Sequence, residues 1–257
     1  MNPSLWDTMR LDGRTALVTG AGKGLGRAIA MGLAQAGANV ALLARTARDL
    51  ESVRGEIEAL GGAASAVVAD VTDSAEVDRA VAAVQERFGT VDILVHSAGG
   101  SQRKPVLELA DDEWKRLVGV NLDSTFYVCR AAGRLMHAQG RGSIINIASA
   151  AGLRGRPNNA PYSAAKAAMI NFSRALAMEW APRGIRVNTL APGRFLTPLT
   201  ETEMSVPEKY AAFVKNVPLG RIGRPEELKE IAVWLASDAS AFVTGATIVI
   251  DGGQTLL

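Results

Sequence analysis

Tyr162 and Lys166 stand four residues apart in APYSAAKAAMINFSRALAMEW, where apolar positions recur at helical spacing, so a phenol and an amine rise from one helix face. A phenol titrates near ~10 and exchanges protons poorly at neutral pH, whereas a cation held beside it favours the phenolate and makes it a usable general acid or base. The pair alone is weak evidence, because a Tyr and a Lys often merely share a solvated helix face. Its meaning depends on what surrounds it.

The elements that must position the pair follow a regular alternation. RTALVTG precedes GLGRAIAMGLAQAG, NVALLAR precedes ARDLESVRGEIEALG, and ASAVVAD precedes SAEVDRAVAAVQERFG. The pattern continues through DILVHSAG, a helical stretch around Trp114 to Gln139, GSIINIAS, the Tyr162 helix, IRVNTLAPG and ATIVIDGG. Apolar strands alternating with amphipathic helices predict an α/β fold with a parallel sheet covered on both faces. The 257 residues contain no linker or low-complexity tract and read as one domain over 1–257. Residues 195–217 are expected to form a helical lid over the substrate.

The carboxyl ends of such strands are where ligands bind, and each strand end here carries a usable feature. Thr19-Gly20-Ala21-Gly22-Lys23-Gly24-Leu25-Gly26 fits G-x-x-x-G-x-G through Gly20, Gly24 and Gly26, a spacing that lets a pyrophosphate approach backbone amides at a helix N-terminus. After the second strand, at Ala44-Arg45, no acid stands where a ribose 2'-hydroxyl would need one. Arg45 and Lys23 instead suit a 2'-phosphate, which favours NADP(H) over NAD(H), with NAD(H) as the alternative and nearby Asp49 as a reason for caution.

Asp70-Val71 ends the third strand, where the carboxylate can accept from an adenine amino group, and His96-Ser97-Ala98-Gly99 ends the fourth. Small residues there let a cofactor lie close to the backbone; His96 itself reads as a packed strand histidine rather than a catalyst. Gly119-Val120-Asn121-Leu122 interrupts a helical pattern and marks a kink at which Asn121 orders a water. Ser149, just past IINIA, supplies a hydroxyl near a substrate carbonyl; Pro192-Gly193 and Thr197 after the sixth strand suit a nicotinamide amide. The loop GGSQRKP places Arg103 and Lys104 over the same edge, cations that suit an anionic substrate group or, equally, a solvated surface or a subunit contact.

Composition narrows the function classes. With 28 basic against 26 acidic side chains the net charge is +2, which gives no electrostatic footprint for nucleic acid and no polybasic membrane patch. The single cysteine, Cys129, lies in an apolar run and is compatible with a reducing compartment. No stretch approaches the ~18 apolar residues of a membrane span, and the N-terminus lacks a signal-peptide pattern, so a cytoplasmic protein is expected. His96 and His137 are far apart and have no cysteine partner pattern, so no metal site is expected.

Taken together, the Thr19–Gly26 turn, Asp70, Ala98-Gly99, Asn121, Ser149, Tyr162 with Lys166, Pro192-Gly193, Thr197 and the closing GRPEELKEIAVWLASDASAFVTGATIVIDGG resemble the short-chain dehydrogenase/reductase family over nearly the whole chain. The interval from Ser149 to Tyr162, 162 − 149 = 13, agrees with the family pattern. The resemblance implies a doubly wound, Rossmann-type three-layer fold on a seven-stranded parallel sheet. It also implies a tetrad: Tyr162 exchanges the proton, Ser149 hydrogen-bonds the substrate oxygen, Lys166 lowers the Tyr162 pKa and holds the nicotinamide ribose, and Asn121 anchors a water leading from Lys166 to solvent.

A homotetramer built on helix pairs around Asn121 and Tyr162 is the common assembly. There are two departures: His96-Ser97 replaces the usual Asn-Asn before Ala98-Gly99, and Arg194 is bulkier and more charged than the residue expected after Pro192-Gly193. The segment AGGSQRKPVLELADDEW is similar to gluconate 5-dehydrogenases, and Arg103, Lys104 and Arg154 would suit a sugar-acid carboxylate. A 3-oxoacyl-[acyl-carrier-protein] reductase is the alternative; a silent dinucleotide-binding sensor is a remoter one.

Overall fold

Seven parallel strands pair in the order β3-β2-β1-β4-β5-β6-β7, where β1 is Thr15–Thr19, β2 Asn39–Ala44, β3 Ala64–Val68, β4 Ile93–His96, β5 Gly142–Ile147, β6 Ile185–Pro192 and β7 Thr247–Ile250. The structure is a computed structural model and describes residues 4–256. After β3 the chain returns across the sheet to lay β4 beside β1, so strand order reverses there and a crevice opens at the carboxyl ends. The expected doubly wound sheet is the one found.

Burial on both faces explains why the strands are apolar throughout rather than alternating: Ala16, Leu17, Val18, Ile93, Leu94 and Val95 are all fully inaccessible. One face is covered by α2 (Gly24–Gln35), α3 (Ala47–Ala59) and α10 (Lys229–Ala236), the other by α4 (Ser74–Phe88), α6 (Ser124–Gln139) and α7 (Ala160–Trp180). The helices stop where local chemistry stops them. In α4, Asp73 caps the first amides and Gly89, at φ 80°, takes the left-handed conformation that ends the helix. Trp180 of α7 packs where Gly133 leaves room, since a Cβ on Gly133 would lie 2.6 Å from the indole.

Two boundaries differ from the sequence reading. β3 ends at Val68, so Asp70 lies two residues beyond it in the following loop. The helical stretch from Trp114 to Gln139 is two helices, α5 (Asp111–Val118) and α6, joined by a π-helical turn over Gly119–Asp123. The kink expected at Asn121 is therefore present, and a π-turn is its form. Residues 195–217 hold two short helices, α8 (Pro198–Met204) and α9 (Pro207–Val214). A remaining short helix, α1 (Leu5–Met9), precedes β1 and is closed by a capping box between Ser4 and Asp7.

Candidate active site

The glycine turn is built for close approach. Gly20 has φ 64° and lies so near the fourth-strand loop that a Cβ would stand 2.9 Å from the Ala98 nitrogen; a Cβ on Gly26 would overlap the Gly20 carbonyl oxygen. Gly24, with φ 56°, opens α2, and Lys23 at the N-cap makes no side-chain hydrogen bond to it, so the first amides of α2 have no capping side chain. An uncapped helix start beside glycines that exclude side chains fits a pyrophosphate. Of the two cations assigned to a 2'-phosphate, Lys23 pairs with Asp49 at 2.9 Å, and Arg45, three-quarters exposed, stands 3.8 Å from Asp70. The Asp70 carboxylate also accepts from Thr72 through both N–H and hydroxyl.

At the middle of the crevice, the turn after β5 meets α7. Ser149 opens a short 3-10 turn over Ala150–Gly152, and a Cβ on Gly152 would stand 2.7 Å from the Lys166 carbonyl carbon, so only a glycine lets that turn lie on the helix. Ser149 is thereby brought beside the Tyr162 phenol, where its hydroxyl favours the phenolate. One helical turn on, Lys166 is buried, with its Nζ donating to the Ile147 carbonyl at 2.8 Å and lying 5.7 Å from the centre of the Tyr162 ring.

The electrostatics correct one expectation. Burial raises the Tyr162 pKa above its ordinary value; the forces that oppose this are the Ser149 hydrogen bond and the field of Arg156, not Lys166. Burial also brings Lys166 down to about 7, so near neutrality its amine is only partly charged, and it faces a backbone carbonyl rather than the phenol. Asn121 is fully buried, and its side chain is committed to the backbone. Its Nδ2 donates to Gly100 O at 2.7 Å and Leu117 O at 2.8 Å, and its Oδ1 accepts from Gly100 N–H at 3.3 Å. The side chain clamps the fourth-strand loop to the π-turn.

A cleft of about 170 Å³ opens in front of Ser149 and Tyr162. Leu25, Pro192, Gly193 and Thr197 line it, as does Arg103. Gly193 packs against Asp251, where a Cβ would stand 2.7 Å from the Asp251 Cβ, and Thr197 lies against Gly24. Val71 is buried behind the third-strand loop, while Ser97 and Ala98 donate their amides to the Thr19 hydroxyl and Gly99 touches Asn121.

Two assigned substrate cations do not reach the cleft. Lys104 is bound to Glu113 at 2.7 Å, and Arg154 lines a neighbouring cavity beside Phe213 and Thr255. The arginines that do line it are Arg103, Arg156 and Arg194. Arg156 sits only two residues from the assigned Arg154 in LRGRPNN and was missed by the sequence reading, since only the fold of the turn places it, and not Arg154, at the cleft. Arg194, which the sequence marked as a departure, is largely buried, pairs with Glu203 of α8 at 2.5 Å and stacks 4.4 Å from the Phe213 ring of α9. Glu203 also takes Arg103 at 2.8 Å, so it spans two loops at the cleft mouth. Arg156 donates to Gln254 at 2.6 Å and makes no salt bridge with a carboxylate among the described residues.

Comparison with known proteins adds to this geometry. A family model described as enoyl-(acyl carrier protein) reductase matches residues 20–255. The chain is 42% identical over 97% of its length to gluconate 5-dehydrogenase of Gluconobacter oxydans (strain 621H), covering 98% of that protein. It is 38% identical over 96% of its length to the 3-oxoacyl-[acyl-carrier-protein] reductase of Thermotoga maritima, covering all of it, 100%. Among solved structures, a gluconate 5-dehydrogenase from Burkholderia cenocepacia J2315 in complex with NADP and tartrate superposes with a TM-score of 0.95 at 40% identity, over 99% of this chain and 100% of that one.

Proposed function

The chain belongs to the short-chain dehydrogenase/reductase family and is an oxidoreductase acting on an alcohol or its ketone, and from that premise we propose that it interconverts a sugar acid and its keto form with NADP(H) in preference to NAD(H). One observation carries the substrate assignment: Arg156, a half-buried guanidinium in the same cleft as Ser149 and Tyr162, has a neutral amide rather than a carboxylate as its hydrogen-bonding partner. Burial and the neighbouring Arg194 and Arg103 depress its pKa, an unfavourable crowding of like charge that an incoming carboxylate relieves. A planar guanidinium suits such a group through two parallel hydrogen bonds.

The cofactor would be held by the amides of the glycine turn from Gly20 to Gly26, by Lys23 and Arg45 at a 2'-phosphate, by Asp70 and Val71 at the adenine, by Ser97 to Gly99, and by Pro192, Gly193 and Thr197 at the nicotinamide. When bound, NADP(H) supplies the hydride chemistry. The protein's part is the proton: the Tyr162 hydroxyl gives it to, or takes it from, the substrate oxygen while Ser149 hydrogen-bonds that oxygen. Lys166, near its own midpoint at neutral pH, serves as the proton reservoir behind Tyr162 and binds the ribose. Asn121 holds the loop that completes the floor. The enzyme works in the cytoplasm as a homotetramer on this reading, and α8 and α9 form its lid.

The second reading, a 3-oxoacyl-[acyl-carrier-protein] reductase, is favoured by the similarity to the Thermotoga maritima protein. Turnover measured with gluconate, a neutral polyol and an acetoacetyl thioester, each with NADP(H) and NAD(H), separates the two. Arg156→Ala should raise KM for the sugar acid roughly tenfold to a hundredfold, as expected for losing a charge-assisted pair, and leave the polyol unaffected. Thioester turnover exceeding that of every sugar acid would overturn the substrate assignment. Arg45→Ala should weaken NADP(H) much more than NAD(H); equal losses would rule out the 2'-phosphate contact.

A further inference from the structure

His96 occupies a position where the family pattern has asparagine, is fully buried, and takes no part in the proton transfer described above. Its hydrogen bonds can be assigned proton by proton. The Thr19 hydroxyl oxygen accepts the N–H of Ser97 at 3.1 Å and of Ala98 at 3.2 Å, which uses both of its lone pairs. Its own proton must therefore go to His96 Nδ1, 2.9 Å away. With Nδ1 an acceptor, the imidazole proton sits on Nε2, which donates to Ser124 Oγ at 3.2 Å, and the Ser124 hydroxyl donates in turn to the Val120 carbonyl at 2.8 Å. Burial holds the ring neutral, its pKa brought down to about 3, so this single tautomer persists.

The chain of donors joins two grips on one loop. Thr19, at the end of β1, holds Ser97 and Ala98, while Asn121, in the π-turn, holds Gly100 through its side-chain amide. His96 is bonded to Thr19 directly and to that π-turn through Ser124 and Val120. Ser97 and Ala98 lie against Gly20 of the glycine turn, and Gly99 bridges the two grips.

We propose that His96 is a positioning residue for the dinucleotide: through one fixed tautomer it locks the Ser97–Gly99 loop against the glycine turn and links that loop to the Asn121 turn. The inference rests on the reading that this sheet edge seats a dinucleotide. Because the loop is placed to meet parts that NADP and NAD share, loss of the lock should weaken both equally and leave their ratio unchanged.

The test uses the full chain, with NADPH and NADH titrations by fluorescence and melting curves. Thr19→Val, which exchanges the hydroxyl for a methyl of similar shape and removes the two bonds it accepts from the loop and the one it donates to His96, should raise both dissociation constants roughly tenfold. His96→Phe should do the same, and the double variant should be no worse than either single one. His96→Asn keeps an acceptor near the Nδ1 position and should recover binding to within about threefold of wild type. Only two histidines are present, so ¹⁵N spectra of the imidazoles read the tautomer directly in wild-type protein.

A proton on Nδ1, or wild-type affinity in Thr19→Val, would overturn the inference even if His96→Phe failed to fold. Wild-type protein that binds neither dinucleotide would overturn the cofactor reading and this inference together, whereas normal binding by both wild type and variants would overturn the inference alone.

Discussion

Tyr162 and Lys166 show how one helical turn acquires different chemistry once it is buried. In isolation the pair reads as a phenol made acidic by an ammonium, yet burial acts on both groups, raising the phenol and bringing the amine to about 7. Tyr162→Phe removes only the hydroxyl, and should lower kcat by at least about 10²–10⁴, the range for a lost general acid or base, while dinucleotide affinity measured by titration stays nearly unchanged. Lys166 also gives a pH signature. An amine at about 7 in the folded chain that titrates near ~10.4 when unfolded binds fewer protons folded than unfolded between those values. Its burial therefore costs most stability below pH 7, and that cost fades as pH rises through the window between the two pKa values. The melting temperature of Lys166→Met relative to cofactor-free wild type should be highest at neutral pH and lose its advantage toward pH ~10. A gap that widened with pH would show that the amine is not depressed.

At the scale of elements, α8 and α9 are tied to the sheet edge by few contacts. Glu203 of α8 joins Arg103 and Arg194, and Phe213 of α9 stacks on Arg194. Arg194 is thus the anchor between the turn after β6 and the helices above it, which explains why a large cation stands where the family pattern has a smaller residue. The exposed Arg103–Glu203 pair contributes little, about 0–1 kcal/mol, which leaves the partly buried Arg194–Glu203 pair as the main polar tie, so the helices should open locally well before the sheet unfolds. Glu203→Gln should make residues 198–214 several times more susceptible to limited proteolysis while the global melting transition moves by only a few degrees. Unchanged cleavage would show that the two ion pairs do not hold the segment. The fixed elements were the readable ones: the periodicity of α2, α4 and α7 survives because each packs one face on the sheet. The π-turn at Asn121 was legible only as an interruption, since a single extra residue in a helix leaves no compositional trace beyond a glycine and an amide.

For the whole molecule, a set of large apolar side chains remains at the surface: Phe242 and Leu107 are fully exposed, Met178 mostly so, and Phe126 and Trp114 partly. Phe126 and Met178 belong to α6 and α7, the helices the family resemblance assigns to subunit contacts. On the homotetramer reading, Phe126→Glu or Met178→Asp should shift the species seen by light scattering after size exclusion to a smaller mass, with far-UV circular dichroism unchanged. An unchanged mass for both would place the contacts elsewhere.

No helix of the described residues is long and apolar enough to cross a membrane, and no group of three or more His, Cys, Asp or Glu residues among them is placed to hold a metal ion. The chain by itself determined the parallel sheet, the glycine turn and the Ser149–Tyr162–Lys166 order, because strand and helix periodicity and glycine's conformational freedom are local properties written in residue types. Tertiary structure alone decided which cations meet the cleft, that Arg156 and not Arg154 or Lys104 shares it with Tyr162, and which hydroxyls flank the buried His96 ring. Those outcomes depend on distances between segments far apart in the chain and on how much water burial removes, and neither quantity is carried by any one stretch of sequence.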